Sequence, residues 1–255
     1  MARSAAQRHV SPEKARPGVF WLLATIVVPV VGAFARIRIV GAEKLPRDGA
    51  YVLAPNHYSE FDPLILSVAV WRMGRAPRFM AKEKLFRVPV LGAILRSAGM
   101  VPVARSSSAA AARQTLETAK LLVEHGRGVV VYPEGSLTRD PDLWPMRGKT
   151  GAVRLALAGG IPLIPVAQWG VQEVMPRYGK LRFPRRRPVT LVVGDPLDLS
   201  EFSGAQTPPA GLVKATGRLM DEIAALLAGI RGEEAPSQRW DPSSHAQKET
   251  GRFES

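Results

Sequence analysis

The sequence predicts an α/β protein, a mainly parallel mixed sheet flanked by helices, with one apolar helix ahead of it. Three observations carry this. From residue 36 onward, short β-rich runs alternate with helical stretches, the pattern of strand–helix–strand units. Two of the runs, VVVY (Val129–Tyr132) and LIPVA (Leu163–Ala167), are continuously apolar, as strands buried on both faces are. The third is size and composition: 255 residues, 46% apolar and 22% charged, exclude wholesale disorder. Such a chain buries roughly three quarters of its unfolded surface and needs no covalent staples. It has no cysteine, which excludes disulfides, thiolate zinc sites, iron–sulfur clusters and a cysteine nucleophile.

Taken in order, residues 1–16 are polar, with Arg3, Arg8, Lys14 and Arg16 against Glu13. Gly18 to Phe34, GVFWLLATIVVPVVGAF, is uncharged, and residues 17–35 are expected to form a membrane-associated helix. No small-x-small site ends the run, as a signal peptide would require, and Arg36 and Arg38 follow it. Pro29 interrupts it, so the helix either lies in one leaflet or makes a short single pass. Phe20, Trp21 and Leu22 cluster at its start as interfacial anchors do. A buried core helix is the alternative.

Residues 36–231 form the main domain. The strands expected are Arg36–Val40, Tyr51–Pro55, Arg78–Ala81, Met100–Ala104, Gly128–Pro133, Pro162–Gln168 and Val189–Val193. The helices are Pro63–Arg72, Val88–Ser97, Ser108–His125, Lys149–Ala158 and Pro209–Ile230. Residues 232–255, polar and rich in Ser, Pro and Gln, read as a disordered tail.

The chain carries 35 Lys and Arg against 22 Asp and Glu, a net charge of +13. The tail holds three cations and five acids, which leaves +15 on the rest. Such a field draws nucleic acid or an anionic membrane. Arg72 to Arg105 holds eight cations and only Glu83; RYGKLRFPRRR (Arg177–Arg187) holds six and no acid. Either stretch reads as a solvated face. The second interleaves Tyr178 and Phe183, which suits lipid headgroups or nucleic acid.

Two constellations can carry chemistry. Asn56-His57-Tyr58-Ser59-Glu60-Phe61-Asp62 follows directly on the strand YVLAP. Of four histidines, His57 alone falls at the C-terminal end of a strand, where open α/β sheets place ligands. A tight loop lets Asp62 accept the His57 Nδ1–H, which fixes the tautomer and leaves Nε2 as a general base. The other reading of Asp62 is an N-cap ahead of Pro63, with His57 a satisfied loop residue. Tyr132-Pro133-Glu134-Gly135-Ser136 also ends a buried strand. Its glycine turn and hydroxyl can hold an oxyanion or phosphate, or can merely turn the chain. Ser136 lacks the G-x-S-x-G context of a hydrolase nucleophile. Gly148-Lys149-Thr150 is no P-loop, because Leu143 occupies the place of the required glycine.

Asn56-His57-x-Ser59-x-x-Asp62 resembles the H-x4-D signature of the glycerolipid acyltransferases, in the 1-acyl-glycerol-3-phosphate (lysophosphatidic acid) acyltransferase-like branch. The resemblance runs on in order through Lys82, Leu85, Pro89 and Gly92, then GMVPVAR (Gly99–Arg105), Pro133-Glu134-Gly135-Ser136, Lys149-x-Gly151 and Ile164-Pro165-Val166. These blocks cover about half of the chain.

The resemblance implies a membrane-bound O-acyltransferase. An acyl thioester, acyl-CoA or acyl carrier protein, would donate to the free hydroxyl of a lysophospholipid, with no cofactor and no metal. His57 would take the hydroxyl proton and Asp62 would orient it. The substrate contacts implied are Asn56, Ser59, Lys82, Arg105, Glu134, Gly135, Ser136 and Lys149. Leu137 departs from the branch, which commonly has arginine directly after the hydroxyl residue; Arg139 is the nearest arginine, and Arg139 and Arg147 join Lys149 as candidate anion contacts. The expected partners are anionic membrane lipids and not nucleic acid, at the cytoplasmic face of the cell membrane. Two other functions account for part of the sequence: a non-enzymatic basic protein binding anionic membrane or nucleic acid, and a lipid hydrolase on the same scaffold.

Overall fold

The computed structural model describes residues 14, 18–103, 109–183, 185–203 and 207–248. The elements in order are α1 (Val19–Phe34), β1 (Ala35–Val40), β2 (Tyr51–Pro55), α2 (Asp62–Arg72), β3 (Met80–Lys82), α3 (Pro89–Ser97) and β4 (Val101–Val103). There follow α4 (Ala109–Glu124), β5 (Gly128–Val130), α5 (Gly151–Gly159), β6 (Leu163–Trp169), α6 (Val171–Val174), β7 (Arg187–Val193) and α7 (Pro209–Arg231). The expected strands and helices stand within a few residues of these bounds.

Five strands form one sheet in the order β1-β7-β6-β2-β5. Only β6 and β7 run antiparallel; the other neighbours are parallel. A parallel pair, β3–β4, extends this sheet through the bridge between Phe79 and Val130. The sheet is therefore mixed but mostly parallel.

Alternation along β2 divides the core between the two faces. Val52 and Ala54 pack with α4, α5 and α7 residues such as Leu122, Leu155 and Leu219. Tyr51 and Leu53 pack with Leu66, Ala69 and Val70 of α2. All five residues of β2 are buried, as a central parallel strand requires.

The apolar segment is the helix α1, and it is not a core helix. Phe20 and Val31 are buried against the body, whereas Trp21, Leu22, Ile26 and Val30 face outward. Trp21 meets Trp71 at one end of α2, and Phe34 meets Phe61 at the other, so α1 and α2 lie antiparallel. Its 16 residues reach about 24 Å, short of the roughly 30 Å of a hydrocarbon core. Among the described residues no helix is long and apolar enough to cross a membrane.

Two expectations from composition need correction. The basic stretch from Arg72 is not simply a solvated face: Arg75 and Arg78 are buried. Arg75 donates to the carbonyls of Pro46, Gly49 and Gly126 and lies over the Tyr51 ring. Residues 232–248, read as disordered tail, fold back. The Trp240 carbonyl accepts from the Arg147 N–H at 2.9 Å, Asp241 pairs with Arg147 at 3.1 Å, and Trp240 stacks on His245. The polar make-up of the segment hides these contacts because they are few and specific.

Candidate active site

Loops after β2, β5 and β6 leave the sheet at one end, because these three strands are parallel neighbours. His57 stands there, two residues beyond β2. Its Nδ1 lies 2.9 Å from Asp62 Oδ2, and its side chain is 16% exposed. The same Asp62 oxygen accepts the backbone N–H groups of Tyr58 (2.8 Å) and Ser59 (2.9 Å).

Asp62 is thus no N-cap. It is the first residue of α2, it reaches back into the preceding loop, and its side chain caps nothing in its own helix. Its carboxyl is fully buried. Burial pushes its pKa up, and the His57 bond and the two N–H groups offset part of that rise. The ionised carboxylate can only accept, so Nδ1 carries the proton of the bond and Nε2 keeps its lone pair.

The loop is fixed from below. Asn56 extends the β2–β6 ladder with its side chain: its Oδ1 accepts the Gln168 N–H at 2.8 Å, and its Nδ2 donates to the Gln168 carbonyl at 3.1 Å. Ser59 Oγ donates to the Met175 carbonyl and accepts the Phe61 N–H. Both residues are buried. They are braces under the site, not the substrate contacts that the resemblance implied.

Glu134 is a brace as well. Its Oε1 accepts the His57 N–H at 2.9 Å and its Oε2 the Met146 N–H at 3.0 Å. Complete burial pushes its pKa up to about 8, against the pull of those N–H groups and the Thr138 hydroxyl. Thr138 closes the frame, donating its own N–H to the His57 carbonyl at 2.7 Å. A carboxyl so enclosed holds the platform rather than a ligand.

What remains at the surface is the glycine turn. Gly135 has φ +70°, the left-handed region where glycine alone is unstrained. The Lys149 side chain runs across it: a Cβ on Gly135 would stand 3.1 Å from Lys149 Cδ. The Lys149 N–H donates to the Pro133 carbonyl at 2.7 Å, which ties the two blocks together. Ser136 is half-buried beside Gly135.

The cations divide. Lys149 is exposed next to the turn, and Arg147 is exposed and paired with Asp241. Arg139 is buried and donates to the Tyr178 hydroxyl at 2.6 Å, which corrects its expected part as an anion contact at the turn. Leu137 is buried too. Lys82 ends β3, and Arg105 lies outside the described residues.

One residue went unrecognised in the sequence. The Tyr132 ring stacks on His57 with centroids 3.9 Å apart and planes at 24°, and Phe79 lies beyond Tyr132 at 6.4 Å. No periodicity signals it: Tyr132 opens a turn closed by the Gly135 N–H on its carbonyl at 3.1 Å, so strand alternation does not say where its ring points.

Comparison with known proteins gives the family. The family model described as Acyltransferase matches residues 36–169, just over half of the chain. A 1-acyl-sn-glycerol-3-phosphate acyltransferase of Bacillus subtilis (strain 168) is 29% identical over 167 residues, 66% of this chain and 76% of that protein. One from Borreliella burgdorferi is 29% identical over 138 residues, 54% of this chain and 53% of that protein. The fold is that of the crystal structure of the 1-acyl-sn-glycerophosphate (LPA) acyltransferase, PlsC, from Thermotoga maritima. That match has TM-score 0.62 at 22% identity, covering 87% of this chain and 81% of that one. With the matched segment running from β1 to the end of β6 and enclosing both the His57–Asp62 pair and the Glu134 turn, the chain is an enzyme and belongs to the acyltransferase family.

Proposed function

We propose that the protein transfers a fatty acyl group from an acyl thioester, acyl-CoA or acyl carrier protein, to the free hydroxyl of a lysophospholipid. The acceptor proposed is 1-acyl-glycerol-3-phosphate, and the product phosphatidic acid. The observation that carries this is the His57–Asp62 bond at 2.9 Å, with the ring's other nitrogen left as a base. His57 Nε2 takes the hydroxyl proton as the oxygen attacks the thioester carbonyl. The C–S bond then breaks, and the imidazolium returns its proton to the departing thiolate. No covalent acyl-enzyme and no cofactor enters. Positioned general-base catalysis of this kind contributes typically ~10²–10⁴ in rate.

Gly135, Ser136 and Lys149 are the described groups placed to hold an acceptor's phosphate. The names of the relatives support a phosphate-bearing acceptor, while the buried Leu137 removes the arginine that the branch usually sets beside it. The outward row Trp21, Leu22, Ile26 and Val30 suits α1 to lie in one leaflet, so the enzyme works at a membrane surface, as its lipid acceptor requires.

The test is thioester-dependent acylation of a panel of acceptors, lysophosphatidic acid beside neutral and sugar-bearing ones, with wild type and His57→Ala. We expect transfer to lysophosphatidic acid by wild type and a loss of ~10²-fold or more in the variant. Equal activity in the two proteins sinks the base assignment. Release of free fatty acid without an acceptor favours a hydrolase, and preference for a neutral acceptor corrects the headgroup.

A further inference from the structure

The excursion between β3 and β4 presents an unusual surface. Its 3₁₀ turn (Glu83–Arg87) leads into α3, and of the nine residues of α3 only Gly92 is buried. Val88, Val90, Leu91 and Ile94 are all exposed, Val90 at 76%. Large aliphatic side chains so uncovered on one short helix mark an interaction surface.

The excursion is nonetheless firmly built. Gly92 sits so close to the turn that a Cβ there would lie 2.1 Å from the Phe86 carbonyl oxygen. Arg96 donates to that same carbonyl at 2.7 Å, and Arg87 pairs with Glu83 at 2.7 Å. The apolar side chains therefore point outward from a closed hairpin, not from a loose one.

Topology fixes which end of the molecule they border. β3 is parallel to β5 through the Phe79–Val130 bridge, and β5 to β2, so Lys82 and the start of the excursion lie at the end of the sheet that holds His57. β1 is parallel to β7, which runs antiparallel to β6 and hence to β2. The junction of α1 with β1 therefore lies at that same end. At its other end α1 meets the segment after α3, where Phe20 packs with Ala98 and Met100.

We propose that residues 83–97 are a second lipid-inserting element: α3 enters an anionic bilayer beside α1, and the two contacts together hold the His57 end of the sheet against it. This rests on the reading that the enzyme works at a membrane, and extends it from one helix to two. Charge complementarity selects the occupant. An apolar centre takes acyl chains, and Lys84, Arg87 and Arg96 at its rim meet anionic headgroups. An acidic carrier protein is the competing partner. It fits less well, since the exposed face is aliphatic, Val88, Val90, Leu91 and Ile94, with the cations only at its rim.

The experiment is flotation of the full-length protein with phosphatidylcholine vesicles, with and without phosphatidylglycerol. Wild type is compared with Val90→Asp/Ile94→Asp, and with Leu22→Asp/Ile26→Asp as the α1 control. We expect the α3 variant to bind anionic vesicles on the order of tenfold or more weakly, with an unchanged melting temperature. Its acyl transfer to detergent-dispersed acceptor should match wild type. If that variant fails to fold, the single Val90→Ser change, at the most exposed of the four positions, should give a smaller loss in the same direction. Vesicle binding like wild type in a folded α3 variant overturns the proposal. So does a variant that keeps vesicle binding and loses binding to purified acyl carrier protein. Loss in the α1 variant alone leaves the membrane reading standing and removes α3 from it; no binding by wild type removes both. Absence of acyl transfer in detergent counts only against the enzymatic assignment.

Discussion

Two buried carboxylates stand at the centre of this molecule, and they are wired differently. Asp62 gathers three donors on one oxygen, the His57 ring and the N–H groups of Tyr58 and Ser59, while its Oδ1 meets no partner among the described residues. Glu134 divides two backbone donors evenly, one to each oxygen. One carboxylate is loaded toward a titratable side chain, the His57 ring; the other is shared between two stretches of backbone. Complete burial raises the pKa of both, so environment alone does not separate them. The identity of the donors does. On the proposed function, Asp62 serves the chemistry and Glu134 the platform under it.

The largest effect that would break this division is at Asp62. All three donors meet the one oxygen Oδ2, so an asparagine with its amide oxygen in that place still accepts from Tyr58, Ser59 and the His57 Nδ1–H, and the loop and the tautomer keep their form. What it removes is the negative charge that stabilises an imidazolium formed when Nε2 takes a proton. Asp62→Asn should therefore lower kcat by roughly 10–10³, the factor by which a carboxylate this close favours a charged partner, with little change in KM. Steady-state kinetics on the acyl-transfer reaction decides it. A drop of less than about tenfold would return Asp62 to a structural part.

Glu134 sharpens the comparison from the other side, through stability. Its oxygens accept both the His57 and the Met146 N–H groups, and a glutamine offers only one acceptor. Glu134→Gln should cost about 1–3 kcal/mol for the donor left without a partner. The penalty should also depend on pH. Glu134 has its folded pKa raised from 4.5 to about 8, so the folded state binds the extra proton, and the wild type loses stability as pH rises through that window. The glutamine variant does not titrate there. The stability gap between the two proteins should thus shrink from pH 5 to pH 8.5, by on the order of 2–4 kcal/mol at most. Denaturant melts at the two values test this, and a gap that stays level from about pH 5 to pH 8.5 would show that Glu134 is held as a carboxylate.

The same contrast explains what could be read from the sequence. His57 and Asp62 were legible as a pair because both the strand-end position and the spacing within one loop are local features. The elements were legible because VVVY and LIPVA announce buried strands. Asn56, Ser59 and Glu134 were recognised as important but assigned to substrate, since a motif does not say which way a side chain faces. Their partners, Gln168 of β6 and Met175 and Met146 of other loops, are distant in sequence, and only the assembled fold brings them near. Arg139 was misread for the same reason: its partner Tyr178 is 39 residues away in sequence. Residues 232–248 were misread because composition averages over the Trp240 and Asp241 contacts that dock them.

The smallest effect concerns the group lying on the His57 ring itself. Tyr132 covers one face of His57, so the imidazole is held by a bond at Nδ1 and by a stack across its plane. An offset aromatic pair contributes about 0.5–1.5 kcal/mol beyond area burial. If that sum holds the ring in its productive rotamer, removing it lowers the productive population roughly two- to twelvefold. Tyr132→Leu should therefore reduce kcat by that factor while KM moves little. The hydroxyl is a separate matter. It is buried without a hydrogen-bond partner among the described residues, and burial pushes its pKa well above the usual phenol range, which keeps it a neutral phenol. Tyr132→Phe keeps the ring and removes an unsatisfied polar group. It should hold kcat within about twofold and raise stability by up to about 1 kcal/mol. The split between the two variants is what a positioning part demands: a loss shared equally by both would move the function from the ring to the hydroxyl, and no loss in either would leave the Asp62 bond as the sole restraint on His57.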